Sequence, residues 1–243
     1  MDQTVEMIQQ DEVATKKILG WANSAFSGSV EPITDLKTAI MRVGVGPMGQ
    51  ITLISKFQTF LTRDLTFYNL SGAEFWNHCL ATAIATESIE TYTVQEVPNE
   101  CFIAGLIHDM GKLLIDCYAR EFSIPNIPPP QELESKSHTE LESDLFQCSH
   151  AEIGGMISKH WDMPDSLTET IQQHHSRDME SFHSGVMVHF ADHIAKSIGK
   201  SGGSESIKSE RTQLQQALKI TEEEYESIRI RTRNMLSRMQ HSA

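Results

Sequence analysis

The chain lacks any apolar run approaching the roughly 18 residues that a membrane-spanning helix requires, so no membrane span is expected. It is short of basic charge: 20 Lys and Arg stand against 33 Asp and Glu, a formal net charge of −13. Binding nucleic acid draws on cationic contacts with phosphate. The deficit therefore speaks against a general nucleic-acid binder, including one built on Arg229, Arg231 and Arg233. Acidic charge more simply keeps a module soluble. Cysteine is scarce, and none of Cys79, Cys101, Cys117 and Cys148 forms a CxxC pair. Three of them lie in apolar helical patterns, which predicts reduced, structural thiols rather than zinc ligands. The opening MDQTVEMIQQDEV is polar and acidic, unlike a secretory signal, so a cytoplasmic protein is expected. No stretch alternates apolar and polar residues as a sheet strand does, and the chain reads as all-α.

What is present is a succession of helical patterns in 243 residues, enough to bury a real core as one large domain or two small ones. Residues 4–22 carry Val5, Ile8, Val13, Ile18, Leu19 and Trp21 at helical spacing, and NSAFSG closes the segment. Thr34 or Asp35 can cap a short helix that stops at Gly44. Pro47 opens a third segment with Ile51, Ile54, Phe57 and Leu61 on one stripe. These helices hold no obvious chemistry and predict a small helical lobe. Ser71 and Glu74 have capping-box spacing and start a helix running to about Tyr92, with Ala81, Ala83 and Ala85 leaving room for close packing.

After the break at Pro98 comes ECFIAGLIHDMGKLLIDCY (100–118), an apolar stretch predicted as a single core helix ending near Phe122. It holds an adjacent His108–Asp109 pair, with Lys112 one turn on. Charge inside a core helix is costly unless it is paired, hydrogen-bonded or metal-bound. SIPNIPPP (123–130) is a stiff loop, and the acidic QELESKSHTELESDLF after it predicts a surface excursion and then a helix. HAEIGGMISKHW (150–161) starts at Ser149, its Gly154 and Gly155 permitting close backbone approach. DSLTETIQQHH ends in His174 and His175. SFHSGVMVHFADHIAKSIG turns Val186, Met187, Phe190, Ala191 and Ile194 inward. GKSGGSES (199–206) reads as flexible, and a last helix runs through EEEYESIRIRTRNMLSRM.

The side chains able to do chemistry are His78, His108, Asp109, His150, His174, His175 and Asp192, delivered by separate helical segments. Imidazole and carboxylate ligands suit Fe, Mn, Zn or Mg. Two metals sharing a carboxylate can hold a phosphate oxygen and activate water, with Lys112 neutralising phosphoryl charge. Each residue also has a plainer reading. His78 can pack beside Trp76, and His150 can serve as a local hydrogen-bond partner after Ser149. His174 and His175, protonated, suit a helix C-terminus. Asp192 can pair with Lys196 at i,i+4 on a wet face. His189 and His193 share that spacing and read as surface histidines rather than a site of their own.

Three blocks make the sequence resemble the HDOD family, the HD-related output domains of bacterial signal transduction, over roughly residues 6–198. The first is KKILGWANSAFSG (16–28) with ITDLKTAIMRVG (33–44). The second is FWNHCLATA (75–83) with FIAGLIHDMGKLLI (102–115). The third is HAEIGGMISKHWDMPDSLTETIQQHH (150–175) with VHFADHI (188–194). The resemblance implies an HD-like helical core with an additional N-terminal helical lobe. It implies one or two divalent metal ions on His78, His108, Asp109, His150, His174, His175 and Asp192, and it matches Lys112 to the lysine of the HDxGK segment. The wider HD superfamily contains metal-dependent phosphohydrolases, cyclic-di-GMP phosphodiesterases among them. HDOD domains, in contrast, are mostly regarded as regulatory modules. The chain departs from the phosphodiesterase pattern after His175, where SRDMESFHSG replaces a GYP-type signature. It also departs at the start, where QQDEVATKK, with Glu12 in place of a proline, predicts a shortened or divergent N-terminal lobe.

The expectation is therefore an HDOD domain over 1–198, with an N-terminal lobe at 1–70 and an HD-like lobe at 71–198, followed by a linker and C-terminal helix over 199–243. The leading function is a cytoplasmic, non-catalytic signalling module that acts on a protein partner, with a small nucleotide as a candidate ligand and self-association open. The alternative is a metal-dependent phosphohydrolase acting on a nucleotide or cyclic nucleotide, in which Asp109 and Lys112 are catalytic.

Overall fold

The computed structural model describes residues 56–93, 100–127, 137–176, 184–199 and 205–241, together with Leu19, Ile33, Thr38 and Ile54. The helices expected over 4–22 and 34–44, apart from those single residues, lie outside the described residues, as does the end of the Pro-rich loop. The chain forms two compact units, residues 1–60 with 234–243 and residues 61–233. In the first, residues 56–60 are helical and Ile54 is buried, in keeping with the stripe read from Ile54 and Phe57.

The second unit carries the chemistry, and it is all-α, with no strand among the described residues. A 3-10 turn, η1 (Thr66–Tyr68), leads into α1 (Gly72–Glu90), which opens on the predicted Ser71/Glu74 capping box. The same device starts α4 (His138–Phe146), from Ser137 and Glu140, and α5 (His150–His160), from Ser149 and Glu152. Each such cap stabilises its helix by about 1 kcal/mol, and each pins the residue where a side chain enters the interior. The remaining helices are α2 (Cys101–Ile107), α3 (Gly111–Glu121), α6 (Asp165–Gln173), α7 (Ser184–Ile198), α8 (Glu205–Leu218) and α9 (Glu222–His241). Among the described residues, no helix is long and apolar enough to cross a membrane.

Helix α1 is the central post, buried on nearly every side and packed against α2 and α7. The alanines read as space-savers do that work: a Cβ on Gly105 of α2 would stand 3.1 Å from the Ala83 backbone. The inward residues of α7, Val186, Met187, Phe190, Ala191 and Ile194, join Ala85, Ile89 and Cys101 in one core cluster. Leu214 and Leu218 of α8 and Ile220, Tyr225 and Ile228 at the start of α9 complete it. The sequence pass named no element over 207–218. Ile207, Leu214, Ala217 and Leu218 are few apolar positions among polar residues, too weak a periodicity to announce a helix that its neighbours stabilise.

The stretch expected as one core helix is two. The coil breaks over His108–Met110, so that α2 stops at Ile107 and α3 begins at Gly111, while the far end falls at Phe122 as expected. The break is tight: the Met110 N–H donates to the Ile107 carbonyl (2.9 Å) and the Lys112 N–H to the Asp109 carbonyl (2.9 Å), three-residue closures in place of the helical four. All three residues of the break keep the apolar spacing almost intact, and periodicity does not register it. Its cause lies across the interior, where α5 comes in against the start of α3. An added Cβ on Gly111 would run into the backbone carbonyl of His150, and one on Gly154 would stand 2.9 Å from Ile171 Cγ2.

Other expectations need correction. Of the cysteines, all free, Cys79 and Cys101 are buried as read, but Cys117 faces solvent on α3 and Cys148 is only partly covered. The acidic run is not wholly a surface excursion, since Glu142 of α4 is completely buried. His189 and His193, read as surface residues, are both buried on α7, because that helix is covered on several sides.

Substituting Gly111→Ala is expected to destabilise the protein by about 1–3 kcal/mol, since backbone on both sides must give way. Urea denaturation measures this as a lowered midpoint at unchanged slope; an unshifted midpoint would show that the approach of α5 to α3 is not tight.

Candidate metal centre

The break at His108–Met110 turns two side chains inward at once. His108 and Asp109 are both buried, at the junction of α2 and α3. From α1 comes His78, with its side chain 20% exposed. Its Nε2 lies 3.3 Å from Asp109 Oδ2 and 3.2 Å from Asp192 Oδ1, the latter on α7. His108 Nε2 lies 3.4 Å and 3.9 Å from the same two oxygens. The other oxygen of Asp109, Oδ1, faces the opposite way, 3.1 Å from His150 Nε2 and 3.9 Å from His174 Nε2. His175 completes that side, its ring 4.2 Å from His174 and 5.0 Å from His150. His78, His108 and Asp109 form one group able to hold a metal ion and His150, His174 and His175 a second, with the ligand atoms of each within 4.8 Å of one another. Asp109 offers one carboxylate oxygen to each.

The outer atoms of these side chains are tied down. His108 Nδ1 is 2.9 Å from the Gly105 carbonyl and His174 Nδ1 is 2.6 Å from the Ile171 carbonyl. A carbonyl only accepts, so each ring carries a proton on Nδ1 and turns its Nε2 inward. His150 Nδ1 lies 2.7 Å from a Glu142 carboxylate oxygen. Lys196 donates to Asp192 Oδ2 at 2.6 Å and Lys112 to Asp109 Oδ2 at 2.7 Å. What is left over is consistent: His108 Nε2, Asp109 Oδ1, His150 Nε2, His174 Nε2 and Asp192 Oδ1 are buried with no hydrogen-bond partner. Buried polar atoms without partners are costly, and here they face a common point. A divalent cation satisfies such a set, so the residues fit the metal that the donor chemistry implies.

The electrostatics agree. Burial works against the Asp109 carboxylate, yet His108, Lys112 and His150 outweigh it and hold its pKa well below the usual range. Burial likewise opposes the Asp192 carboxylate, and Lys196 and His78 overcome it. His174 and His175 are pushed well below 6.5, by burial first and then by the neighbouring imidazoles. That overturns the reading of both as protonated residues favouring a helix C-terminus: the interior keeps them neutral, as ligands must be. For His78 and His150 burial is outweighed by the nearby carboxylates, and their pKa values are raised. The centre draws positive charge to itself. Both readings of Asp192 hold together, since one oxygen pairs with Lys196 while the other turns to the imidazoles, but the pair sits on a buried carboxylate rather than a wet face.

Glu142 is not among the residues the sequence nominates; it stands in a run of carboxylates, of which Glu140 and Asp144 are exposed. The one signal was its place eight residues before His150, which nothing in helical periodicity singles out.

An all-α fold with a histidine–aspartate pair buried among imidazoles at its centre is an HD-like helical core. Residues 1–177 match the HDOD domain family, and the chain belongs to that family, which is related to the HD and HD-GYP phosphohydrolases. The match stops short of α7, so Asp192 lies outside it, whereas the sequence resemblance was drawn to 198. The fold is similar to an HDOD domain protein of Geobacter sulfurreducens (TM-score 0.70, 19% identity, 99% of this chain and 84% of that one). It is also similar to a candidate phosphohydrolase of Shewanella amazonensis SB2B (TM-score 0.69, 19% identity, 98% and 87%). An uncharacterised protein of Treponema pallidum (strain Nichols) is 24% identical over 173 residues, which are 71% of this chain. The aligned region spans 33% of that curated relative.

One pH dependence follows. Burial, then Lys112 and Lys196, press His138 of α4 from 6.5 down to about 4. Between those values the unfolded chain takes up a proton that the folded protein refuses, so His138 makes stability fall as pH drops through that window. His174 and His175 act in the same sense, His78 and His150 in the opposite one. In thermal melts of metal-free protein, His138→Gln is expected to lose less stability than wild type between pH 6.5 and 4; parallel curves would contradict it.

Proposed function

We propose that this protein is a signal-transduction module organised on a divalent-metal centre, passing the state of that centre to a protein partner through its helical surface. The observation that carries the reading is the set of buried, partnerless ligand atoms on His108, Asp109, His150, His174 and Asp192. In this reading His78, His108, Asp109 and Asp192 hold one ion, His150, His174 and His175 hold the other, and Asp109 links them. Imidazoles and a shared carboxylate suit Mn, Fe or Zn. The state being passed on is the occupancy of the centre. Ligands come from α1, α5 and α7 and from the ends of α2 and α6, so filling the centre would tie these helices together.

A second reading, hydrolysis of a phosphate ester of a nucleotide, is favoured by one observation: Asp109 divides its oxygens between the two groups. When bound, a metal pair supplies Lewis acidity toward a phosphoryl oxygen and lowers the pKa of water. The chain's own part is then to orient and to exclude water. Lys112 holds the Asp109 carboxylate in place and, for all its burial, remains cationic, because Asp109 and Glu142 raise its pKa. His78 and His175, the partly exposed members of the two groups, are where a phosphate would reach the centre.

Elemental analysis of protein purified without chelator is expected to find near-stoichiometric transition metal, reduced at least tenfold in Asp109→Ala. Assayed with Mn²⁺ or Fe²⁺ on a generic phosphodiester, the wild type is expected to show no turnover above that variant. Hydrolysis that Asp109→Ala abolishes decides for the second reading, and metal-free wild type overturns both.

A further inference from the structure

Glu142 is a buried carboxylate that the proposed centre does not use as a ligand, and burying it without purpose would be expensive. Its partners are specific. Oε2 accepts the backbone N–H of His150 at 2.7 Å and lies 2.7 Å from His150 Nδ1, while Oε1 accepts the Tyr68 hydroxyl at 2.9 Å. The carboxylate thus grips one ligand twice, by its main chain at the first turn of α5 and by its ring. It stands where a helix N-terminus favours negative charge. Burial opposes its ionisation, but His150 and then Lys112 more than offset that and keep the pKa below normal.

Tyr68 is placed with equal care. Asp116 of α3 accepts the Phe67 N–H at 2.8 Å and the Thr66 hydroxyl at 3.3 Å, which clamps η1 to α3. Ile127 donates its N–H to the Phe67 carbonyl at 2.9 Å. Held there, Tyr68 reaches Glu142 with its hydroxyl and presents its ring 5.7 Å below the Lys112 ammonium. The contacts close a ring through the Asp109 carboxylate: Asp109 Oδ2 to Lys112, Lys112 over Tyr68, Tyr68 to Glu142, Glu142 to His150, and His150 back to Asp109 Oδ1. In the other group His108 is oriented by a carbonyl of its own helix and Asp192 by Lys196, neither of which touches Glu142.

We propose that Glu142, backed by Tyr68, is the positioning residue of the His150/His174/His175 subsite and sets its metal affinity separately from that of the His78/His108/Asp109/Asp192 subsite. It does so by fixing His150 with the proton on Nδ1 and Nε2 turned inward. The inference rests on the metal reading above and deepens it. Replacing the carboxylate by an amide leaves one acceptor for two His150 donors and a Tyr68 hydroxyl, so the imidazole loses its fixed tautomer. Outer partners of this kind change metal affinity by about 10–100-fold.

The test is calorimetric titration of the full chain with Mn²⁺ alone, joined to the EPR signal of the coupled ion pair. Wild type is expected to bind two ions and show the pair. Glu142→Gln should weaken one of them about 10–100-fold and lose the pair signal, while the other ion stays within about threefold. Tyr68→Phe keeps the ring over Lys112 and removes only the hydroxyl, so it should weaken the same ion by a smaller factor. It also serves where Glu142→Gln does not fold. A packing defect would weaken both ions alike, and that result, or no weakening in either variant, overturns the inference while leaving the metal reading standing. A wild type that binds fewer than two ions removes the pair and this inference with it.

Discussion

One carboxylate governs the interior of this protein. Asp109 is buried at the end of α2, and each of its oxygens is committed in a different direction. A carboxylate at such depth survives only if cationic or hydrogen-bonding groups surround it. The fold supplies them from every side: His78 from α1, Lys112 from α3, His150 from α5 and His174 just past α6. The arrangement of the unit's helices can be read as the answer to that single requirement. The break in the coil at His108–Met110 aims the pair, and the near-contact of Gly111 with α5 brings His150 within reach.

The centre is organised in layers of hydrogen bonding. Inner atoms face one another without partners, while outer atoms are tied to carbonyls, lysines and Glu142. Such a shell costs stability in the absence of a cation, because it orients acceptors toward other acceptors. The raised pKa values of His78 and His150 are the compensation, since protons there take over part of the cation's role. Occupancy of the centre by a cation and stability of the fold would therefore be linked quantities.

The helical patterns were legible wherever apolar periodicity was strong or a capping box stood at the start. Ser71 with Glu74 marked α1, and Ser149 marked α5. Reading failed where local pattern and tertiary requirement part company. The apolar spacing runs straight through His108–Met110 because the three-residue closures shift it too little to notice. Helix α8 has few apolar positions to declare it, and Leu214 and Leu218 pack with residues of α7 and α9. His189 and His193 looked like surface residues because i,i+4 spacing says nothing about how many neighbours cover a helix.

By itself the sequence determined the helical class, through periodicity and caps, and nominated the residues with suitable chemistry, through their type and their apolar neighbours. Only the tertiary structure decided which nominated atoms face each other, that Asp109 splits its oxygens between two groups, and that Glu142 turns inward. The physical reason is that ligand convergence depends on the relative placement of helices far apart in sequence. That placement is fixed by long-range packing, such as Gly105 on Ala83 and Gly111 on His150, and leaves no trace in local spacing.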